Sequence, residues 1–207
     1  MLAASVCAIA SLDAIPIAAL LSLSLSYTAG MFLNDVCDVP FDAKARSDRP
    51  IPNGDVGRGE ALMIVVVLFC AALALMLRQP YPRPAIAWAV ALIIAITVYD
   101  VSHKGKWYGP ILMGLCRALV YCVAASSATG SLATAVLIAA GVMWLYVIAL
   151  TWVAKAANLG YAVPWMLAGI CLVDAAIILW MEQPQLALIA ALGFPLTLAM
   201  QRVVPGT

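Results

Sequence analysis

Long apolar stretches alternate with short polar breaks along most of this chain. The pattern predicts membrane-spanning helices, because a helix needs roughly 20 apolar residues to cross a bilayer. The predicted spans cover residues 14–36, 57–78, 84–101, 108–127, 131–154, 162–181 and 185–202. A transmembrane barrel would instead alternate over segments of roughly ten residues. We therefore expect an all-α protein, a polytopic membrane helical bundle folded as one domain over residues 1–207.

The apolar stretch before these spans, residues 2–10, is about half as long as a span. We expect it to be the end of a first helix that is incomplete in this sequence. Counting it gives a bundle of about 7 to 8 transmembrane helices.

Composition and charge support a membrane location. Hydrophobic residues make up 66% of the chain and charged residues 10%, which excludes an ordinary soluble domain. The net charge is only +1, and nothing in it predicts nucleic-acid binding. Basic residues concentrate on one side of the predicted spans: Lys44, Arg46, Arg49, Arg58, Lys104, Lys106, Lys155 and Arg202, against Arg78 and Arg83 on the other. The positive-inside rule places the first side in the cytoplasm, in a bacterial inner or plasma membrane or its equivalent.

Cysteine and histidine motifs for metals are missing from the sequence. The six cysteines form no C-x-x-C pair and show no zinc-like spacing. His103 is the only histidine, which excludes a histidine-rich metal or haem site.

Acidic residues gather where the first long apolar stretch ends. On a helix advancing about 100° per residue, Asp35, Asp38 and Asp42 lie within an arc of about 60°, with Asn34 beside them. Carboxylates this close repel one another unless a cation lies among them. Oxygen ligands on a single helix face suit Mg²⁺, which binds a few carboxylates together with water and substrate phosphates.

The residues that follow predict a turn. Arg49-Pro50-Ile51-Pro52-Asn53-Gly54 is rich in turn-forming residues and would return Arg49 over the carboxylates. Carboxylates with Mg²⁺ and neighbouring arginines form a receptor for diphosphate. The alternative is that the aspartates are solvated at a helix end and pair with Lys44, Arg46 and Arg49.

The order Asn34-Asp35-x-x-Asp38-x-x-x-Asp42, then Arg46, then Arg49-Pro50-x-Pro52-x-Gly54 resembles the first aspartate-rich motif of the UbiA superfamily of intramembrane prenyltransferases. Tyr99-Asp100 with Lys104, followed by Gly109-Pro110-x-x-Met113-Gly114-x-Cys116-Arg117, is most similar to its EboC-like branch. The resemblance implies a bundle of typically nine helices around a lipid-open cavity. It also implies that the ninth helix is missing from this sequence.

The resemblance further implies a chemistry: Mg²⁺-dependent transfer of a prenyl group from a prenyl diphosphate to a small acceptor. Asn34, Asp35, Asp38 and Asp42 would bind the metal. The expected catalytic residues are Asp35, Asp38, Arg49, Lys104 and Arg117. The expected substrate-binding residues are Asn34, Arg46, Tyr99, Asp100, Tyr121, Lys155 and Asn158.

Three of these expectations have alternatives. Lys104 would draw charge from the departing diphosphate, or would only anchor a helix end at the membrane surface. Arg117, deep in an apolar span, would bind diphosphate or an anionic acceptor, or would pair with Asp174. Tyr121, together with Trp144, Tyr146 and Trp152, would line a pocket, or would only pack or anchor at the membrane surface.

The sequence departs from the family pattern at the second aspartate-rich motif, since no Asp or Glu occurs between Asp100 and Asp174. In one interpretation a single Mg²⁺ remains, with Lys155 and Asn158 replacing the second ion's charge. In another, the site binds a prenyl or polyprenyl diphosphate without cleaving it, and the protein takes part in lipid handling or metabolite export, as EboC-like relatives do. In the third, the protein is an inactive scaffold.

Overall fold

The structure, a computed structural model, describes residues 17–102, 106–156 and 160–203. Within these ranges the chain forms seven long helices: α1 Ile17–Ala45, α2 Arg58–Met76, α3 Pro82–Ser102, α4 Gly109–Thr129, α5 Thr134–Lys155, α6 Val163–Trp180 and α7 Pro184–Val203. Two single turns, the helix Pro50–Asn53 and the 3₁₀ helix Gly160–Ala162, lie in loops.

The segment of each long helix is long and apolar enough to cross a membrane. The chain is an integral, multi-pass membrane protein, and the predicted all-α class with seven spans is confirmed for the described residues. The partial helix predicted over residues 2–10 lies outside them.

Helix α1 is longer than the apolar pattern predicted. The predicted span ended at residue 36, whereas the helix continues to Ala45 and contains Pro40. Proline removes one backbone donor from the helix, and the helix nevertheless continues with Val36 and Asp42 buried. The acidic residues Asp35, Asp38 and Asp42 therefore all lie on one continuous helix.

Prolines and glycines set the ends of several helices. Pro110 lies in the first turn of α4, where the backbone N–H that proline lacks would have no helical partner. At the other end of α4, Gly130 has a φ of +75°, a left-handed conformation that glycine adopts without strain. A side chain there would also collide with the ring of Tyr81. The turn between α4 and α5 is thus specified locally.

The helices enclose a central space. The closest packing joins α1 to α2, α3 to α4, α4 to α5 and α6 to α7, and further contacts join α1 to α3 and α5 to α6. Gly30 lets α1 approach Ile96 of α3 closely. Successive spans run in opposite directions, so α1, α3 and α5 all end at the same side of the membrane. We call this side the motif face.

Candidate functional site

A cavity of about 570 Å³ lies between helices α1, α3, α4, α5 and α6. Its charged and amide-bearing lining residues come from the motif-face half of α1, the motif-face end of α3 and the third turn of α4: Asn34, Asp35, Asp100 and Arg117. Residues deeper in the bundle give the cavity an apolar lining. The cavity is therefore amphiphilic, with a charged end and an apolar body.

The lining residues of α1 show how far the cavity extends. They run from Leu23 to Asp35, which is about 18 Å along a helix that rises 1.5 Å per residue. Leu23, Tyr27, Met31 and Asn34 recur at spacings of three or four residues and form one stripe along the helix. Sequence reasoning missed the apolar part of this stripe, although the same spacing, counted back from Asn34, could have found it.

The carboxylates of α1 have partners in the protein. The Arg49 guanidinium donates from Nη1 to Asp42 Oδ2 at 2.8 Å and to Asp35 Oδ1 at 3.4 Å. The Asn34 amide donates to Asp38 Oδ2 at 3.3 Å. The short helix Pro50–Asn53, which Gly54 ends at a φ of +87°, follows Arg49 directly. The turn thus returns Arg49 to the carboxylates, which is the geometry that the Pro-x-Pro-x-Gly sequence predicted.

Asp100 supplies a further carboxylate from α3. It is only 5% exposed, and its Oδ2 has no hydrogen-bond partner among the residues that the structure describes. Asp38 lies within electrostatic range of it, so the motif-face ends of α1 and α3 bring negative charge together. A buried carboxylate oxygen without a donor costs free energy that a cation or a donor on a ligand can recover.

Arg117 supplies positive charge to the same cavity. It is half-buried on α4, and it makes no ion pair with any described residue. The predicted alternative, an ion pair with Asp174, is not formed among the described residues; the Asp174 carboxylate instead accepts a hydrogen bond from the Tyr121 hydroxyl. An arginine in a membrane span is unfavourable unless it meets a polar group. The cavity therefore has an arginine that an anionic ligand would compensate.

Other predicted site residues lie outside the cavity lining. Tyr121 is 2% exposed, donates to Asp174 of α6 and is not among the lining residues of this cavity. Lys155 is exposed, and its ammonium group donates to the Lys106 carbonyl at 3.4 Å. The side chain of Arg46 is exposed in the loop after α1. Lys104 and Asn158 lie outside the described residues.

The aromatic residues beside these sites serve packing and surface positions. The Trp144 indole donates to the Ile111 carbonyl at 3.0 Å, and the Tyr146 hydroxyl donates to the Met166 carbonyl at 2.8 Å. Trp152 is 58% exposed. Tyr99, in contrast, lines the cavity as predicted. Thr151 also lines it, and nothing in its sequence context distinguished it.

The donor atoms at the charged end suit Mg²⁺. Asn34, Asp35, Asp38 and Asp42 offer only oxygen ligands, which is the donor set of a hard ion. The described residues contain no group of three acidic, histidine or cysteine side chains already arranged around a metal. Mg²⁺ commonly binds through one or two carboxylates together with substrate phosphates, so the residues fit an ion that enters with its substrate.

Comparison with known proteins decides the family. The model of the UbiA prenyltransferase family matches residues 1–162. The chain belongs to this family. The prediction made from the aspartate-rich motif is thereby confirmed at the level of the UbiA family, while its placement in the EboC-like branch stays a prediction. No solved structure matches the chain.

Three curated relatives carry prenyltransferase names. A digeranylgeranylglyceryl phosphate synthase of Natronomonas pharaonis is 37% identical over 102 residues, which cover 49% of this chain and 34% of that protein. A 4-hydroxybenzoate octaprenyltransferase of Acidovorax ebreus is 33% identical over 82 residues, which cover 39% of this chain and 28% of that protein. A second digeranylgeranylglyceryl phosphate synthase, from Sulfolobus acidocaldarius, is 30% identical over 90 residues, which cover 44% of this chain and 31% of that protein. The chain thus matches about a third of the length of these UbiA relatives.

Proposed function

We propose that this UbiA-family protein is a membrane prenyltransferase that moves a prenyl group from a prenyl diphosphate to a small acceptor. One observation carries the proposal: a single cavity, which follows α1 for about 18 Å, combines a charged end, with Asp35, Asp100 and Arg117, and an apolar body. A prenyl diphosphate has the same division between an anionic head and an apolar tail. The names of the curated relatives, which include an octaprenyltransferase, support the same reaction class.

The charged end would bind the diphosphate head. Arg117 has no ion-pair partner in the described part of the chain and would contact phosphate oxygens directly. Asn34, Asp35, Asp38 and Asp42 would hold Mg²⁺, which neutralises phosphate charge and assists departure of the leaving group when it is bound. We propose that this end faces the cytoplasm, because basic residues concentrate in its loops.

Arg49 would exchange partners when the substrate binds. It bridges Asp35 and Asp42, and its side chain is 30% exposed, so it can turn toward phosphate oxygens once the carboxylates bind a cation. Arg46 is also exposed, in the same loop, and would contact the diphosphate from the surface. Two arginines placed beside a leaving group stabilise the negative charge that grows on it as the allylic C–O bond breaks.

The apolar body would protect the reaction from water. Residues from five helices line it, and the allylic cation formed by loss of diphosphate would be separated from the aqueous phase until the acceptor attacks. The acceptor contributes an electron pair to the cation and afterwards loses a proton. Tyr99 would contact the substrate near the charged end.

A second candidate function is binding without cleavage. Two observations favour it: no acidic residue lies between Asp100 and Asp174 in the sequence, and Lys155 is exposed and bonded to the Lys106 carbonyl. Lys155 is therefore not positioned to replace the charge of a second metal ion. In this case the protein would hold a prenyl or polyprenyl diphosphate and take part in lipid handling or export.

One experiment separates the two candidates. The purified protein would be incubated with Mg²⁺, labelled farnesyl or geranylgeranyl diphosphate and a membrane extract as the source of acceptor. Release of diphosphate that is lost in Asp35→Asn and Asp38→Asn supports the transferase. Tight, Mg²⁺-dependent binding without release supports the carrier. Asp55→Asn is the matched control, because Asp55 is exposed in the loop and pairs with Asn53. If the site variants bind and release like the control, both candidates fail.

A further inference from the structure

Asp100 lies beside the place where the diphosphate would bind. Helices α1 and α3 run in the same direction, and Gly30 of α1 packs against Ile96 of α3. One turn farther toward the motif face on each helix come Asn34 and Asp100, so these two residues lie at the same level of the membrane. Both of them line the cavity. A molecule that reaches Asp100 is therefore next to the diphosphate head and to the prenyl carbon bonded to it.

A diphosphate does not satisfy this carboxylate. Asp100 is 5% exposed, and its Oδ2 has no hydrogen-bond partner in the described part of the chain. Ionised phosphate oxygens carry negative charge and donate no hydrogen bond, so they repel a carboxylate. Arg117 lines the same cavity, but it is in no ion pair with Asp100. The cavity thus contains a carboxylate whose partner must come from a molecule other than the diphosphate.

A magnesium ion is a poorer partner for Asp100 than a hydroxyl group is. Mg²⁺ keeps several water molecules and loses them reluctantly, which suits the Asp35 carboxylate, whose side chain is 52% exposed. Asp100 is almost enclosed, and within the described ranges no three acidic, histidine or cysteine side chains are grouped around a place for a metal ion. A hydroxyl group needs one carboxylate oxygen and no hydration shell. The surroundings of Asp100 therefore favour a hydroxyl donor on a ligand.

The wall beside Asp100 is contributed by sulfur-containing side chains of α4. Cys116 lies within electrostatic range of Asp100 and lines the cavity, as does Met113, which lies three residues earlier on the same face of the helix. Methionine sulfur makes favourable contacts with aromatic rings and adapts to irregular apolar shapes. A molecule that fits here combines an apolar body, packed against this wall, with a hydroxyl group that faces the carboxylate.

We propose that Asp100 binds the acceptor by accepting a hydrogen bond from a hydroxyl group on a largely apolar molecule. This inference rests on the proposed function. A site built to hydrogen-bond a hydroxyl group rejects an analogue that lacks it, because the buried polar group is then left unpaired. Asp100 would therefore select the acceptor and hold it beside the prenyl carbon that the acceptor attacks, without contacting the diphosphate.

The test uses two probes that differ in this donor: 1-naphthol and its methyl ether, 1-methoxynaphthalene. Each would be titrated into the purified full chain with Mg²⁺ and saturating farnesyl thiolodiphosphate, whose bridging sulfur slows transfer during the measurement. The wild-type protein should bind the naphthol at least about tenfold more tightly than the ether, as expected for a hydrogen bond to a charged group. Asp100→Leu should lose this preference, and Asp100→Asn, which keeps a neutral acceptor, should retain only part of it.

Thr97→Val is the matched control on α3. The Thr97 hydroxyl is exposed, donates to the Ile93 carbonyl of its own helix and does not line the cavity. This variant should keep the full preference for the naphthol. If Asp100→Leu does not fold, Asp100→Asn decides the question, and an undiminished preference in Asp100→Asn overturns the inference.

The affinity for farnesyl thiolodiphosphate separates this inference from the proposed function. Asp100→Asn should bind the analogue as tightly as the wild-type protein or more tightly, because a negative charge near the diphosphate is removed. A loss of Mg²⁺-dependent affinity in Asp100→Asn would make Asp100 a metal ligand and overturn the inference. Equal or absent binding of the two probes by the wild-type protein overturns the inference alone. If the wild-type protein does not bind the analogue, the proposed function fails and the inference fails with it.

Discussion

The charged groups of α1 and those of α3 and α4 lie at the same end of the cavity in different electrostatic states. Asp35 and Asp42 share the guanidinium of Arg49, so these two carboxylates of α1 are compensated without a ligand. Asp100 Oδ2 and Arg117 have no such partners among the described residues. An uncompensated charge in a membrane span lowers stability, and binding sites are regions where stability is given up for function. The difference indicates that Asp100 and Arg117 can bind a ligand directly. Asp35 and Asp42 must first release Arg49.

The largest expected effect comes from Arg117. Arg117→Met should weaken farnesyl diphosphate binding by about 100-fold, because it removes a charge-assisted contact of roughly 2 to 3 kcal/mol. Its free energy of unfolding in detergent should be unchanged or higher, by as much as about 2.5 kcal/mol, since the arginine is not paired in the described chain. Arg78→Met, at an exposed position after α2, is the control for both measurements. Equal loss of stability and binding in Arg117→Met would make Arg117 a structural residue.

Arg49 should matter for stability as well as for binding, unlike Arg117. Arg49→Ala leaves Asp35 and the buried Asp42 without their shared cation, so we expect a stability loss of about 1 to 3 kcal/mol, the cost of leaving a buried acceptor without its donor. Diphosphate affinity should fall by about tenfold, because one charge-assisted hydrogen bond is lost. Thermal unfolding and ligand titration measure the two quantities. Arg58→Ala, exposed at the start of α2, should change neither. A larger effect on affinity from Arg49 than from Arg117 would reverse the comparison.

Tyr121 tests the packing of α4 against α6 rather than the charged end of the cavity. Tyr121→Phe removes its hydrogen bond to Asp174 and should lower the free energy of unfolding by about 0.6 to 1.7 kcal/mol, the range for hydrogen bonds inside membranes. The phenyl ring keeps the packing around it and Tyr121 does not line the cavity, so affinity for farnesyl diphosphate should change by less than about twofold. Calorimetry and ligand titration check both values. A loss of affinity comparable to that of Arg117→Met would return Tyr121 to the binding site.

Lys155 should give the smallest effect. Its ammonium group is exposed and reaches only the Lys106 carbonyl. Lys155→Ala should therefore change binding and diphosphate release by less than about twofold, as expected for an exposed charge outside the lining. A loss of release with retained binding would instead support the interpretation in which Lys155 replaces the charge of a second metal ion.

Local chemistry made the charged end predictable from the sequence. The spacing of Asp35, Asp38 and Asp42 fixes a common helix face whatever the rest of the fold does, and the prolines around Ile51 with Gly54 favour the turn that returns Arg49. The depth of Arg117 in an apolar stretch also identified it as unusual. Each inference needed only residues close in the chain, together with the seven apolar spans.

The apolar end was not predictable in the same way. Tyr121 was expected to line the cavity because it follows Arg117 by one turn, but its partner Asp174 is 53 residues away and turns the hydroxyl toward α6. Val147 and Leu150 line the cavity but belong to a helix that is apolar on most sides, so no periodicity separates a cavity wall from a lipid-facing surface. The apolar pattern alone ended the first span at residue 36, and only the spacing of the aspartates indicated helix as far as Asp42, past Pro40.

The most direct test compares the affinities of two ligands that share a tail. Farnesyl diphosphate and farnesol would be titrated, with Mg²⁺, into the wild-type protein and Arg117→Met. If the charged end binds the head group, the wild-type protein binds the diphosphate at least about 100-fold more tightly than the alcohol, and Arg117→Met loses most of that ratio. Equal affinities for the two ligands in the wild-type protein, or a ratio that Arg117→Met leaves unchanged, would contradict the account.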